Sequence, residues 1–149
     1  MDDRKITVAT QPVVFELIDG SKIDGEVYLR LHEARHTGQQ QVGDLLNESL
    51  SFIPVKTSRG HILLNVAQIV SVSVDLVSEK TDLMTLGKQY TVQIKTILQQ
   101  EIRGDIFVNL PEEYSRIKDY FNQPNRFSPL FQPALVVYVN RQFILSVLD

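Results

Sequence analysis

One pattern is written twice along this chain, and that repetition limits the fold to two similar units or one structure with a repeated plan. Asp44-Leu45-Leu46-Asn47 is followed by Phe52-Ile53-Pro54-Val55, then by Asn65, Ile69 and Val72. At an offset of 75 come Asp119-Tyr120-Phe121-Asn122, Phe127-Ser128-Pro129-Leu130, Asn140, Ile144 and Val147. Upstream, Ile23-Asp24-Gly25-Glu26-Val27 matches Ile102-Arg103-Gly104-Asp105-Ile106 at an offset of 79, so the first copy has four more residues between its glycine and its aspartate. A unit of about 60 residues buries only a modest core alone, so the two copies are expected to pack together.

Composition narrows the classes of function. A hydrophobic share of 43% with 22% charged residues is that of a folded globular chain. No apolar run approaches the roughly 20 residues that span a bilayer, and no apolar stretch follows the charged start, so a cytoplasmic protein without membrane insertion is expected. With no cysteine, disulfides, thiolate catalysis and cysteine-ligated metals are excluded. The net charge is −3, whereas a phosphate-gripping domain carries a basic excess. Residues 12–72 hold five Lys/Arg against seven Asp/Glu, and residues 90–149 hold six against six. The balance weighs against nucleic acid as a partner.

Val13, Phe15 and Leu17 alternate, Asp19-Gly20 supplies a turn, and alternation resumes through Ile23, Val27 and Leu29, which predicts a β-hairpin. Gly25 and Gly104 interrupt their strands at matching places, as glycines do at bulges and sharp bends. Pro111-Glu112-Glu113 predicts a helix start, with Tyr114, Ile117, Tyr120 and Phe121 on one face; Val42, Leu45 and Leu46 match the last three. Three strands follow in each copy. The expected division is an N-terminal arm over 1–11, a first repeat over 12–74, a connecting segment over 75–89 and a second repeat over 90–149.

Each copy therefore reads strand, turn, bent strand, short helix, three strands. Ile-x-Gly-x-Val/Ile, then Asp-x-x-Asn, then a last strand entered at Asn-x-x-x-Ile resembles the Sm-like small-barrel pattern. In Sm-like proteins the aspartate follows the strand glycine closely and an arginine stands where Asn65 and Asn140 stand here. The resemblance implies an all-β fold of two tandem five-stranded small barrels, each with a short helix, packed with pseudo-two-fold symmetry. The intact pattern would also imply single-stranded RNA held in a ring. The repeat resembles, too, a group of bacterial proteins with an Asp-x-hydrophobic-Asn, Phe-x-Pro, hydrophobic-Asn and Ile pattern, which brings no activity with it.

The individual motifs are weighed against plain structural roles. Asn47 and Asn122 suit helix ends, because asparagine tolerates the left-handed conformation. Asp44 and Asp119, one helical turn earlier, suit loop-bracing acids, and Asn65 and Asn140 suit turns. His32-Glu33-Ala34-Arg35-His36 has the spacing of a zinc hydrolase, two histidines at i and i+4 with a glutamate as general base, and His61 or Glu48 could be a third ligand by type. It lies in a polar stretch after a strand, and the second copy has no counterpart. No phosphate loop, nucleophile elbow or dinucleotide fingerprint is present. The expected function is non-catalytic, without a cofactor: a protein-interaction or assembly module that associates with a protein partner or with itself. Its expected surface uses Tyr114, Phe131, Leu135, Val137 and Tyr138, where aromatic side chains lie beside prolines and an apolar strand would need a partner. An RNA-binding Sm-like protein and a zinc-dependent hydrolase centred on His32 and His36 are the alternatives.

Overall fold

A computed structural model describes residues 8–31, 39–79 and 81–149. The ten strands are β1 (Val8–Leu17), β2 (Lys22–Arg30), β3 (Phe52–Thr57), β4 (Gly60–Asn65) and β5 (Ile69–Asp75) in the first half, and β6 (Lys88–Thr96), β7 (Glu101–Val108), β8 (Phe127–Phe131), β9 (Leu135–Asn140) and β10 (Ile144–Leu148) in the second. Two short helices, α1 (Val42–Leu46) and α2 (Ile117–Phe121), precede β3 and β8.

The fold is all-β, as expected, but the strands do not form two separate barrels. They make one antiparallel sheet in the order β10-β6-β7-β8-β9-β5-β1-β2-β3-β4, whose two ends are β10 and β4. The halves meet where β5 pairs with β9, from Ser71↔Val139 to Asp75↔Leu135. This joins the fifth strand of one half to the fourth strand of the other. Unlike edges meet, so the junction is head to tail rather than the two-fold packing expected.

Within each half the plan is the same. β5 lies on β1 with Phe15↔Val72 and a bulge between Glu16 and Leu17. β10 lies on β6 with the matching pair, Val147↔Ile94, and a register shift between Ile144 and Ser146. β3 pairs with β4 from Phe52↔Asn65 to Thr57↔Gly60, and β8 with β9 from Phe127↔Asn140 to Phe131↔Val136. Gly25 and Gly104 let the neighbouring strand approach closely: a Cβ on Gly25 would stand 2.5 Å from Val55 Cγ1, and one on Gly104 would stand 2.8 Å from the Phe131 carbonyl oxygen. β1 starts at Val8, so the last part of the expected arm belongs to the first strand.

The side chains of β8 and β9 divide between two cores. Phe127, Phe131, Val136 and Tyr138 join Phe15, Val27, Leu46, Ile53 and Val72 in the first. Leu130, Val137 and Val139 join Val92, Ile94, Ile106 and Tyr120 in the second. Alternation along a strand sends neighbouring residues to opposite faces, so these two strands form a wall shared by both cores.

The helix expected from Pro111 is broken in two. A 3-10 turn covers Glu112–Tyr114, Arg116 is extended, and α2 starts at Ile117. Ser115 causes the break: its Oγ donates to the Glu112 carbonyl at 2.8 Å, and its own carbonyl accepts from Tyr90 Oη at 2.6 Å, so that carbonyl is drawn off the helix axis. Tyr114 is consequently exposed instead of sharing the buried face. Among the described residues, no helix is long and apolar enough to cross a membrane.

Candidate interaction edges

The strand expected to need a partner has one inside the chain. β9 is hydrogen-bonded on both sides, to β8 and to β5. Of the residues expected to form a surface, Phe131, Val137 and Tyr138 are buried, Leu135 is half-buried and only Tyr114 is exposed. The physical reason is that β9 faces two cores, so its apolar run fills interior space on both sides.

The junction is fastened by specific polar groups. Asn47 spans the halves, its Oδ1 accepting from the Phe127 N–H at 2.8 Å and its Nδ2 donating to the Phe127 carbonyl at 3.1 Å. Its φ of −94° and that of Asn122, −99°, are not left-handed, so neither asparagine ends its helix in the way the sequence suggested. Asn122 donates locally to the Lys118 carbonyl. Asn140 is buried; it donates to the Ile69 carbonyl at 2.9 Å, and its Oδ1 accepts from Gln142 N–H. Asn65 likewise accepts from Ala67 N–H, turn chemistry as expected. Asp44 and Asp119 brace the helix starts, accepting from the N–H groups of Gln41 at 2.9 Å and Arg116 at 3.1 Å.

The connecting segment adds a buried node. Tyr138 Oη donates to Glu79 Oε1 at 2.5 Å, and Leu76 N–H donates to the Ala134 carbonyl. Burial raises the Glu79 carboxyl above the ordinary carboxylate range, opposed by the Tyr138 hydroxyl and by backbone N–H groups of Val42 and Gly43 at the start of α1. Burial likewise raises the Tyr138 hydroxyl. Tyr138 can lie this close to α1 because residue 43 is glycine; a Cβ there would stand 2.6 Å from Tyr138 Cε1.

On the other face of the sheet an open groove of about 620 Å³ follows the junction, lined by Val14, Glu16, Ser71, Arg103 and Leu135 among others. Glu16 is 7% exposed, accepts from Gln100 Nε2 at 2.8 Å and lies 3.9 Å from Lys22 Nζ. The Glu16 carboxylate is thus already engaged by two of the groove's own side chains, Gln100 and Lys22.

His32 and His36 lie outside the described residues. The third-ligand candidates are occupied elsewhere: Glu48 Oε1 accepts from Arg30 Nη2 and Gln40 Nε2, and His61 Nε2 lies 2.6 Å from Tyr28 Oη. Among the described residues no group of three His, Asp or Glu is placed to hold a metal.

What the fold leaves open is its two ends. Among the described residues β4 pairs only with β3, and β10 only with β6. Phe52 is 54% exposed, Leu63 71% and Leu148 65%. Sequence reasoning passed over these residues because their strands are no more apolar than the others; only the repeat, which aligns Leu63 with Tyr138 and Phe52 with Phe127, could have marked them. The chain matches no protein-family model, no curated protein and no solved structure.

Proposed function

We propose that this protein is a non-catalytic protein-interaction or assembly module, built from two Sm-like halves, that works by accepting strands at the ends of its sheet. The observation that carries this reading is the pair of end strands, β4 and β10, whose outer edges are unpaired among the described residues, each with a large apolar side chain in solvent, at Leu63 and Leu148. An unpaired edge offers a row of backbone donors and acceptors to any incoming strand, and natural sheets usually blunt such edges with charge, proline or a covering loop. Leucines at an open edge do the reverse. The strand order within each half supports the Sm-like reading, since the fifth strand lies beside the first in both.

The test is a quantitative capture experiment with the wild-type chain and a Leu63→Asp/Leu148→Asp variant as baits, after circular dichroism has established that both are folded. A protein, of any identity including the chain itself, should be retained by the wild type and lost with the variant. Identical retained sets would end the reading.

A further inference from the structure

We propose that the groove at the junction of the two halves binds a small zwitterion with an aliphatic body, a free α-amino acid or a dipeptide, with its ammonium on Glu16 and Ser71 and its carboxylate on Arg103. The site is separate from the ends of the sheet, since neither Leu63 nor Leu148 lines the groove.

The floor is laid out by strand register. Lys22 pairs with Glu16, Glu16 with Ser71, and Val14 with Ser73, and β9 continues the second row with Val137 opposite Ser73. Directly opposed residues on neighbouring strands share a face, with Cβ atoms about 5 Å apart, so Glu16 and Ser71 can hold one ammonium between them. The other wall is the start of β7 and the turn before it, where Gln100, Glu101 and Arg103 line the groove. β7 meets β8 at Asp105↔Phe131, and its residues 101–103, which lack a strand on that side among the described residues, border the opening.

Two groups on the floor are buried with bonding capacity to spare. Glu16 and Ser71 are 7% and 6% exposed. Gln100 Nε2 and Lys22 Nζ both approach Glu16 Oε2, the latter at 3.9 Å from a largely exposed side chain, which leaves Oε1 without a partner among the described residues. The Ser71 hydroxyl has none either. Among the described residues, the side-chain polar atom that is both sealed from solvent and unbonded is Arg141 Nε, so Ser71 Oγ and Glu16 Oε1 open onto the groove. Burying a hydroxyl or a carboxylate costs free energy unless a bond offsets it, and valine at position 71 would carry no such cost.

The repeat shows that the acid is not a requirement of the fold. In the second half the matching row is Glu101, Lys95 and Ser146, with the two charges interchanged. Ser146 is exposed, because no further half covers it. The covered copy of the row is the one that places a carboxylate beside the serine.

The wall supplies the complement. The Arg103 carbonyl accepts from Gln132 Nε2 at 2.9 Å, whereas its guanidinium has no hydrogen bond or ion pair among the described residues. A guanidinium holds a carboxylate through two parallel hydrogen bonds. Glu101 is engaged through Oε2 by Gln93 Nε2 at 2.8 Å. The charges that line the groove, Glu16, Lys22, Glu101 and Arg103, cancel, so a ligand with one charge of each sign enters without leaving a net charge behind. Val14, Leu135 and Val137 give it an apolar lining. The volume of about 620 Å³ lies within the range of small-molecule pockets, about 300–1,000 Å³. Because both halves contribute residues, bound ligand also ties the halves together.

Isothermal titration calorimetry of the full chain tests this with leucine, valine and leucyl-leucine, beside N-acetylleucine, which lacks the ammonium, and leucinamide, which lacks the carboxylate. At least one of the zwitterions should bind at up to millimolar concentration. The two blocked compounds should bind about tenfold more weakly or not at all, each having lost one charge-assisted contact. Heat from leucine or valine without leucyl-leucine identifies free amino acids, and heat from leucyl-leucine alone identifies short peptides; either supports the site. Arg103→Gln changes an exposed residue and should stay folded by circular dichroism while binding about tenfold more weakly. In Glu16→Gln the preference for leucine over N-acetylleucine should disappear. No binding by any of the zwitterions, equal binding of N-acetylleucine to the wild type, or wild-type affinity in folded Arg103→Gln would each overturn the proposal. The reading of the sheet ends stands or falls separately, on capture by the Leu63→Asp/Leu148→Asp variant.

Discussion

At the scale of single residues, the most informative are those whose roles could not be inferred from their neighbours in sequence. Asn47 and Asn122 occupy the same place in the repeated pattern, yet one bridges the halves and the other turns back on its helix. Glu79 lies in a connecting segment of mixed charge and nevertheless is 7% exposed, held between Tyr138 and the start of α1. Its carboxyl is raised by burial above its ordinary value near 4.5. Between that value and the raised one, the folded chain holds a proton that the unfolded chain has released, so stability falls as pH rises through this window and is greatest below it. Glu79→Gln carries no titrating group. Its urea midpoint should therefore fall less between pH 4.5 and pH 7 than that of the wild type, all other carboxylates being common to both. Parallel slopes would show that burial of this carboxyl has no thermodynamic weight. Nothing local in the sequence announces this group, because its environment is made by a strand 59 residues away.

At the scale of elements, local chemistry was legible and pairing was not. The Asp19-Gly20 turn forms as read, with Gly20 at φ +85° and Ser21 N–H donating to Asp19 Oδ1. The interior glycines, expected at bulges or sharp bends, instead mark close approach of the neighbouring strand, and the register shifts lie at Glu16/Leu17 and Ile144/Ser146. Gly104→Ala would push a methyl group to 2.8 Å from the Phe131 carbonyl oxygen and 2.7 Å from Leu130 Cγ. Since a backbone atom cannot rotate away, a loss of about 1–3 kcal/mol is expected in urea unfolding; an unchanged midpoint would mean that β7 and β8 can separate there at no cost. The single helix read from Pro111 failed because periodicity records which residues are apolar, whereas Ser115 ends the turn through bonds to Glu112 and Tyr90. β9 was legible as a strand from Leu135-Val136-Val137-Tyr138-Val139, but an unbroken apolar run does not reveal whether its second face meets solvent, a partner or another core. That ambiguity placed the expected surface on the best-buried strand and hid the ends.

At the scale of the whole molecule, the shared wall determines how stability is distributed. Phe127 and Tyr138 are held in one core while Leu130 and Val137, on the same two strands, are held in the other. Loss of the second half would strip the wall from the first, so the halves should unfold together rather than in sequence. Amide signals of Val27 and Ile106, one from each half, should vanish at the same urea concentration in an NMR titration, at a protein concentration low enough to suppress association. Two separated midpoints would mean that the halves are autonomous and merely touch.

The shared wall also imposes an order of events on synthesis. A ribosome delivers the first half before the strands that close it, so the nascent chain carries an uncovered core and an open β5 until Asn140 has emerged. During that interval the wall it awaits is still being translated. Any finished molecule nearby already presents a substitute in Phe52 and Leu63. Folding within the chain must outrun capture between chains, and the short connection between the halves gives the internal wall a high effective concentration in that competition.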